Sequence, residues 1–169
     1  MKIRKEIILE RSLAILSFIF PFAELSYYFG AKVFLNTDSP FIRSFYKAYI
    51  LKLSTFYGAN VYFIFALMVG IFIVCSRGTL PLSKYARFNI IQAILLNIIY
   101  SCVGAIFSYL PIVVRESALG ILLANFFFLG LVVIFAYSVL LIFYGKYPIL
   151  PVISEAAKLQ VQQGRGGPE

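Results

Sequence analysis

Four stretches of this chain, about 12–34, 59–75, 88–110 and 118–144, are apolar over lengths near those needed to cross a bilayer as a helix. That constrains the fold more than any other feature. In hydrocarbon every backbone N–H and C=O must find its partner inside the protein. Composition agrees: 62% of residues are hydrophobic and 13% charged, against about 45–50% and about 25% in soluble domains. The expected fold is all-α, a polytopic membrane protein with four transmembrane helices and an amphipathic interfacial helix between the first and second. With 169 residues it forms one domain over 1–163. Residues 164–169 read as a disordered tail or a cloning remnant.

The third span is the least generic. Tyr85-Ala86-Arg87-Phe88-Asn89 runs straight into an apolar helix bearing Gln92 and Asn97. An unpaired amide is costly in lipid, so these side chains are expected to face protein or water. Asn89, Ala93, Asn97, Tyr100 and Gly104 share one helical stripe, with Gln92 at its flank. Small and amide residues on one face let helices approach and hydrogen-bond. The stripe reads as bundle packing, as one wall of a hydrated groove, or as a docking face. Arg87 stands at the N-terminal end of its helix, where a cation opposes the dipole. It serves either a partner or anionic headgroups. Glu24 is the one carboxylate inside an apolar span, and such an acid is a functional candidate by default. If the first helix begins near Ile7, Glu24 instead approaches the far interface. Pro21 is placed to kink that helix and free a carbonyl. Glu24, Arg87, Asn89, Gln92 and Asn97 are therefore the candidate path or partner-docking residues.

The connections carry readable signals. Asp38-Ser39-Pro40 starts a helix, with a cap and then Pro at the first position. Ile42, Phe45, Tyr46, Tyr49, Leu53 and Phe56 recur at helical spacing over about 40–57. That suits a helix in the membrane interface or one packed over the bundle end. Ser83 caps the third span. The short link at Arg115-Glu116-Ser117 makes spans three and four antiparallel neighbours. Ala66/Gly70 and Gly120/Ala124 are small-residue pairs of the helix-contact type. Gly145 and Pro148 end the fourth helix, and a short helix follows over about 152–162.

Net charge is +8. The basic residues lie between apolar spans, so they read as topology and lipid contact rather than nucleic-acid binding. With four spans both termini share a side. That side carries ten Lys and Arg, the other five, which puts the termini on the cytoplasm-equivalent side. There is no His, which removes most metal sites and imidazole acid–base chemistry. Cys75 and Cys102 read as buried small hydrophobes. No nucleophile–base pair, phosphate loop or carboxylate pair is present, so neither catalysis nor a cofactor or metal is expected. No cleavable signal or transit segment is evident, and the Ile, Phe, Tyr, Lys and Asn content fits an AT-rich genome. The chain reads as organelle-encoded, bacterial or already processed.

Arg87-Phe88-Asn89, then Gln92-Ala93-Ile94-Leu95-Leu96-Asn97-Ile98, resembles the hallmark of the 20-kilodalton subunit family of the Tic translocon, the protein-import machine of the chloroplast inner envelope. Phe20-Pro21-Phe22-Ala23-Glu24-Leu25-Ser26-Tyr27 is similar to that family's first-span segment. Pro148-Ile149-Leu150-Pro151-Val152-Ile153-Ser154-Glu155-Ala156-Ala157 is similar to its C-terminal end. Asn97 stands where the family often has Asp, and Ala23-Glu24-Leu25 replaces an acid-Gly pair. The resemblance implies a non-enzymatic multi-pass subunit of the plastid inner envelope with both termini in the stroma. Its implied partners are larger translocon subunits, transiting preproteins and lipids. Competing readings are a small homo-oligomeric ion channel or carrier, supported by Glu24 and the amides, and a non-conducting membrane scaffold.

Overall fold

The computed structural model describes residues 2–163; the expected tail at 164–169 lies outside them. Among the described residues every regular element is helical. The first pass comprises α1 (Lys2–Ser17), α2 (Ile19–Leu25), a π-helical turn (Ser26–Gly30) and α3 (Ala31–Leu35). Its break falls at Ser17 and Phe18, four residues before Pro21, which has no N–H to give the Ser17 carbonyl. Phe18 N–H bonds back to Ile15 O at 3.1 Å instead. In the π turn the Ser26 hydroxyl donates to Phe22 O at 2.7 Å, a back-bond that competes with the helical ladder.

The return pass holds α4 (Pro40–Phe45), a second π turn (Tyr46–Ile50), α5 (Leu51–Ala59) and α6 (Val61–Arg77). Ser39 caps α4 by accepting from Ile42 N, with Pro40 at the first position, as its sequence predicts. The continuous rod 40–59 meets α6 at 81°, the bend falling at Asn60. Gly78 ends α6 in the left-handed conformation, φ +68. Next come α7 (Lys84–Tyr109), the single turn α8 (Ile112–Arg115), α9 (Ala118–Phe143) and α10 (Ile153–Gln163). Ser83 and Ser117 cap α7 and α9 through their hydroxyls. Gly145, φ +72, closes α9.

Among the described residues two helices, α7 and α9, are by themselves long and apolar enough to cross a membrane. The bent pair 40–59 and α6 is a third if it counts as one span. Contacts fix the ends of the bundle. The α1 side chains of Glu10 and Arg11 reach Ser83 before α7 and Phe143 at the end of α9. Lys32 on α3 pairs with Glu116, between α8 and α9, at 2.5 Å. Of the four spans expected, two helices therefore qualify by length and apolarity, or three with the bent pair; the first pass is broken into shorter helices and does not.

The short link predicts that α7 and α9 pack along each other, but they make no extended close backbone approach. The first pass lies between them. Phe29 sits 5.0 Å from Phe107 of α7 and 5.9 Å from Phe127 of α9, and Phe22 meets Phe128 and Phe135. These rings fill a gap too wide for direct helix contact. On its other side α7 packs Phe88, Ile91 and Ile94 with Met68 and Cys75 of α6 and Ala157 of α10. The central helix is therefore α7: 56% of its most apolar window is buried, against 22% for α9.

The 40–59 rod turns Tyr46, Ile50, Ser54 and Tyr57 onto the first pass. Of the expected apolar stripe only Tyr46 is fully buried, while Phe45, Tyr49 and Phe56 face outward with Phe41. Buried and exposed aromatics lie on different faces of one helix, a distinction that hydrophobic spacing does not make. Cys75 is buried as expected, but Cys102 is exposed, since its face of α7 meets no other helix. The small-residue pairs also divide. Ala124 joins the core and Gly120 lies against the α8 carbonyls, while a Cβ at Gly70 would meet nothing within 4 Å.

Candidate functional site

All five predicted polar residues are enclosed within this chain: Glu24, Arg87, Asn89, Gln92 and Asn97 are each 2% exposed or less. They occupy three neighbouring sites, not one. Glu24, Asn97 and Ser101 form a layer between α2 and α7. Ser101 Oγ donates to Glu24 Oε1 at 2.6 Å. The Asn97 amide reaches Glu24 Oε2 and Ser101 Oγ, each at 3.5 Å. Hydroxyl–carboxylate bonds are strongest near 2.6 Å, and contacts at 3.5 Å are marginal. The principal partner of Glu24 is therefore Ser101, with Asn97 second. Among the described residues no basic group pairs with Glu24.

Arg87 lies at the other site, under the end of α6. Its Nε donates to Cys75 O at 2.6 Å and its Nη2 to Ser76 O at 3.1 Å. The last carbonyls of a helix lack intrahelical donors and carry the negative end of the dipole. Arg87 opposes the dipole of its own helix but caps that of α6. Gly78 is required beside it, because a Cβ there would stand 2.9 Å from Arg87 Nη1.

The third site fastens the C-terminal segment. Gln92 Nε2 donates to Pro148 O at 3.3 Å and to Ser154 Oγ at 3.1 Å. Asn89 Nδ2 donates to Tyr85 O at 2.9 Å, one turn back on α7. The Tyr85 hydroxyl reaches on to Ile142 O and Lys146 O at the end of α9. The amides share a habit: each donates inward, while Asn89 Oδ1, Gln92 Oε1 and Asn97 Oδ1 are buried with no donor. All three of these acceptors lie on α7. Farther along the stripe, Gly104 packs directly against the Tyr28 ring, where a Cβ would overlap it.

Several partners were not legible in advance. Ser101 follows Asn97 by one helical turn, so its place on the same face was readable from spacing. Ser154 and Glu10 had no such signal. Glu10 accepts from Ser83 N–H at 3.0 Å and from Ser83 Oγ at 2.6 Å, across 73 positions of sequence. Arg11 donates to Phe143 O at 2.9 Å, so α1 and α7 together cap the end of α9. Outside the spans, the hydrogen bond and charge of Lys32 hold the exposed Glu116 carboxyl below its ordinary range.

Comparison with known proteins places this architecture. Residues 4–157 match the family model described as chloroplast import apparatus Tic20-like. A Tic20 family protein Ycf60 of Gracilaria tenuistipitata var. liui is 33% identical, over 91% of this chain and 76% of its own length. The Ycf60 of Cyanidium caldarium is 29% identical, over 90% and 74%. A Tic20 family protein of Synechocystis sp. is 29% identical, over 90% of this chain and 93% of its own. No solved structure gives a match. With its hallmark Arg87 to Asn97 folded into the central helix, the chain belongs to the Tic20 family.

Proposed function

We propose that this chain is a membrane subunit of the protein-import translocon of the plastid inner envelope, helping to form the path by which preproteins enter the stroma. The observation that carries this reading is family membership over residues 4–157. In it the broken first pass, the bent 40–59 and α6 pair, α7 and α9 make four membrane crossings, both termini face the stroma, and the chain is non-enzymatic. The excess of Lys and Arg on the terminal side supports that orientation. The 81° turn between the 40–59 rod and α6, with Phe41, Phe45, Tyr49 and Phe56 outward, supports an interfacial helix. Among the described residues the helices packed against α7 leave no polypeptide-wide channel, so the path is composite and needs larger membrane subunits. In this reading Glu24, Arg87 and the three amides fix the helices of one wall.

Purification of the tagged chain from its own membrane in mild detergent, with mass spectrometry of what accompanies it, tests this. Recovery in a large assembly with other import subunits is expected. Recovery as a lone species or homo-oligomer across detergents would instead favour an autonomous channel or carrier.

A further inference from the structure

The segment after α9 folds back onto the bundle. Gly145 turns the chain, residues 146–152 cross the bundle end, and α10 seats Ser154, Ala157 and Val161 against α6 and α7. Its aromatic and polar moorings come from one stripe of α7. Tyr147 stands edge-on to Tyr85 and Phe88, at 5.0 and 5.2 Å. Gln92, one turn further, donates to Pro148 O and Ser154 Oγ. Residues 85, 88 and 92 share a helix face.

Two features set this segment apart. Val152 has φ +65 and is the one non-glycine residue with positive φ among the described residues. A β-branched side chain is disfavoured there, and Val152 is 79% exposed, so little packing compensates the strain. The segment also has a second apolar face: Ile149 and Leu159 point away from the bundle with Val152. Against the bundle, α10 itself is held by Ile153, the Ser154 hydroxyl, the Ala157 methyl and Val161.

We infer that residues 145–163 form a releasable strap, held closed over the α6–α7 cleft by the Gln92 latch and biased toward opening by Val152. Closed, it covers Phe88 and Ile91. Open, it pivots at Gly145, relaxes Val152 and bares that cleft. This device is a property of the fold and holds whether or not the translocon reading does.

The test uses the full chain in phospholipid nanodiscs, with Cys75→Ser and Cys102→Ser, and measures labelling by a water-soluble maleimide. Ala157→Cys reports the strap, Lys158→Cys its exposed side, and Ala14→Cys the bundle core. Ala157→Cys is expected to label at least about 10-fold more slowly than Lys158→Cys. Adding Gln92→Leu should speed Ala157→Cys about 10-fold, consistent with losing a buried polar latch. Adding Val152→Gly should slow it about 3-fold or more, since Gly accepts positive φ. Ala14→Cys should stay protected throughout. An unchanged Ala157→Cys rate with Gln92→Leu, a faster one with Val152→Gly, or equal exposure of Ala14→Cys would overturn the strap.

Discussion

Ser101 Oγ donates to Glu24 Oε1 across 2.6 Å, joining the central helix to the first pass where Glu24 is buried and Ser101 half-buried. The pair ties together elements 77 positions apart, and Asn97 backs it at longer range. Removing the hydroxyl leaves a buried carboxyl short of its best partner. Ser101→Ala should therefore destabilise the purified protein by about 1–2 kcal/mol, read as a lower melting temperature in detergent. Asn97→Ala should cost less. The reverse order would make Asn97 the principal partner.

Arg87 fastens α6 to α7 through two backbone carbonyls. Arg87→Met keeps the stem and loses both bonds, and should cost about 2–3 kcal/mol. Arg87→Lys should recover only part of that, because an ammonium does not reproduce the guanidinium fork. Chemical-denaturant unfolding in micelles compares the three. Full recovery by Lys would show that charge alone matters at this position.

Two glycines should respond in opposite ways. Gly104 lies against the Tyr28 ring, so Gly104→Ala should cost about 1–3 kcal/mol by overpacking. Tyr28→Leu should relieve part of that cost. Gly70 has open space around it, so Gly70→Ala should be neutral or slightly stabilising in the isolated chain. Thermal melts of Gly104→Ala, of Gly104→Ala with Tyr28→Leu, and of Gly70→Ala check this. Equal losses at both glycines would contradict the packing described for α7 and α6.

Much of this organisation could be read from residue order because it depends on local chemistry. Ser39 with Pro40, Ser83 before α7, and Gly78 and Gly145 after α6 and α9 act within a few residues of themselves. The burial of the third-span stripe followed from helical spacing plus the cost of amides in lipid. The placement of the first pass between α7 and α9 was not readable, because link length says nothing about which ring fills a gap. Nor was the task of Arg87: its acceptors are backbone carbonyls of α6, and carbonyls leave no signature in sequence. The outward face of the 40–59 rod was missed because aromatics occur on both of its sides.

The Lys32–Glu116 pair closes the opposite end of the bundle. The hydrogen bond and charge of Lys32 hold the Glu116 carboxyl below its ordinary value. The sign follows from the lowered value: the contribution is present above the unfolded pKa and is lost as pH falls through the still lower folded one. Glu116 is solvent-exposed, so the effect is small and screened by salt. Melting temperature measured between about pH 5 and 3 should fall slightly more for the native chain than for Glu116→Gln, and less so in high salt. Identical slopes would show that the pair contributes nothing in solution.

The central claim is that this chain forms part of a preprotein path. The most direct measurement places a photoreactive residue singly at exposed Tyr49, Phe65 or Ile98 in the native membrane, with a preprotein arrested in transit. The account predicts that at least one position cross-links to the arrested preprotein, and that the adduct disappears once the passenger is chased through. Cross-links to lipid and neighbouring subunits alone, at every position and with import running, would contradict it.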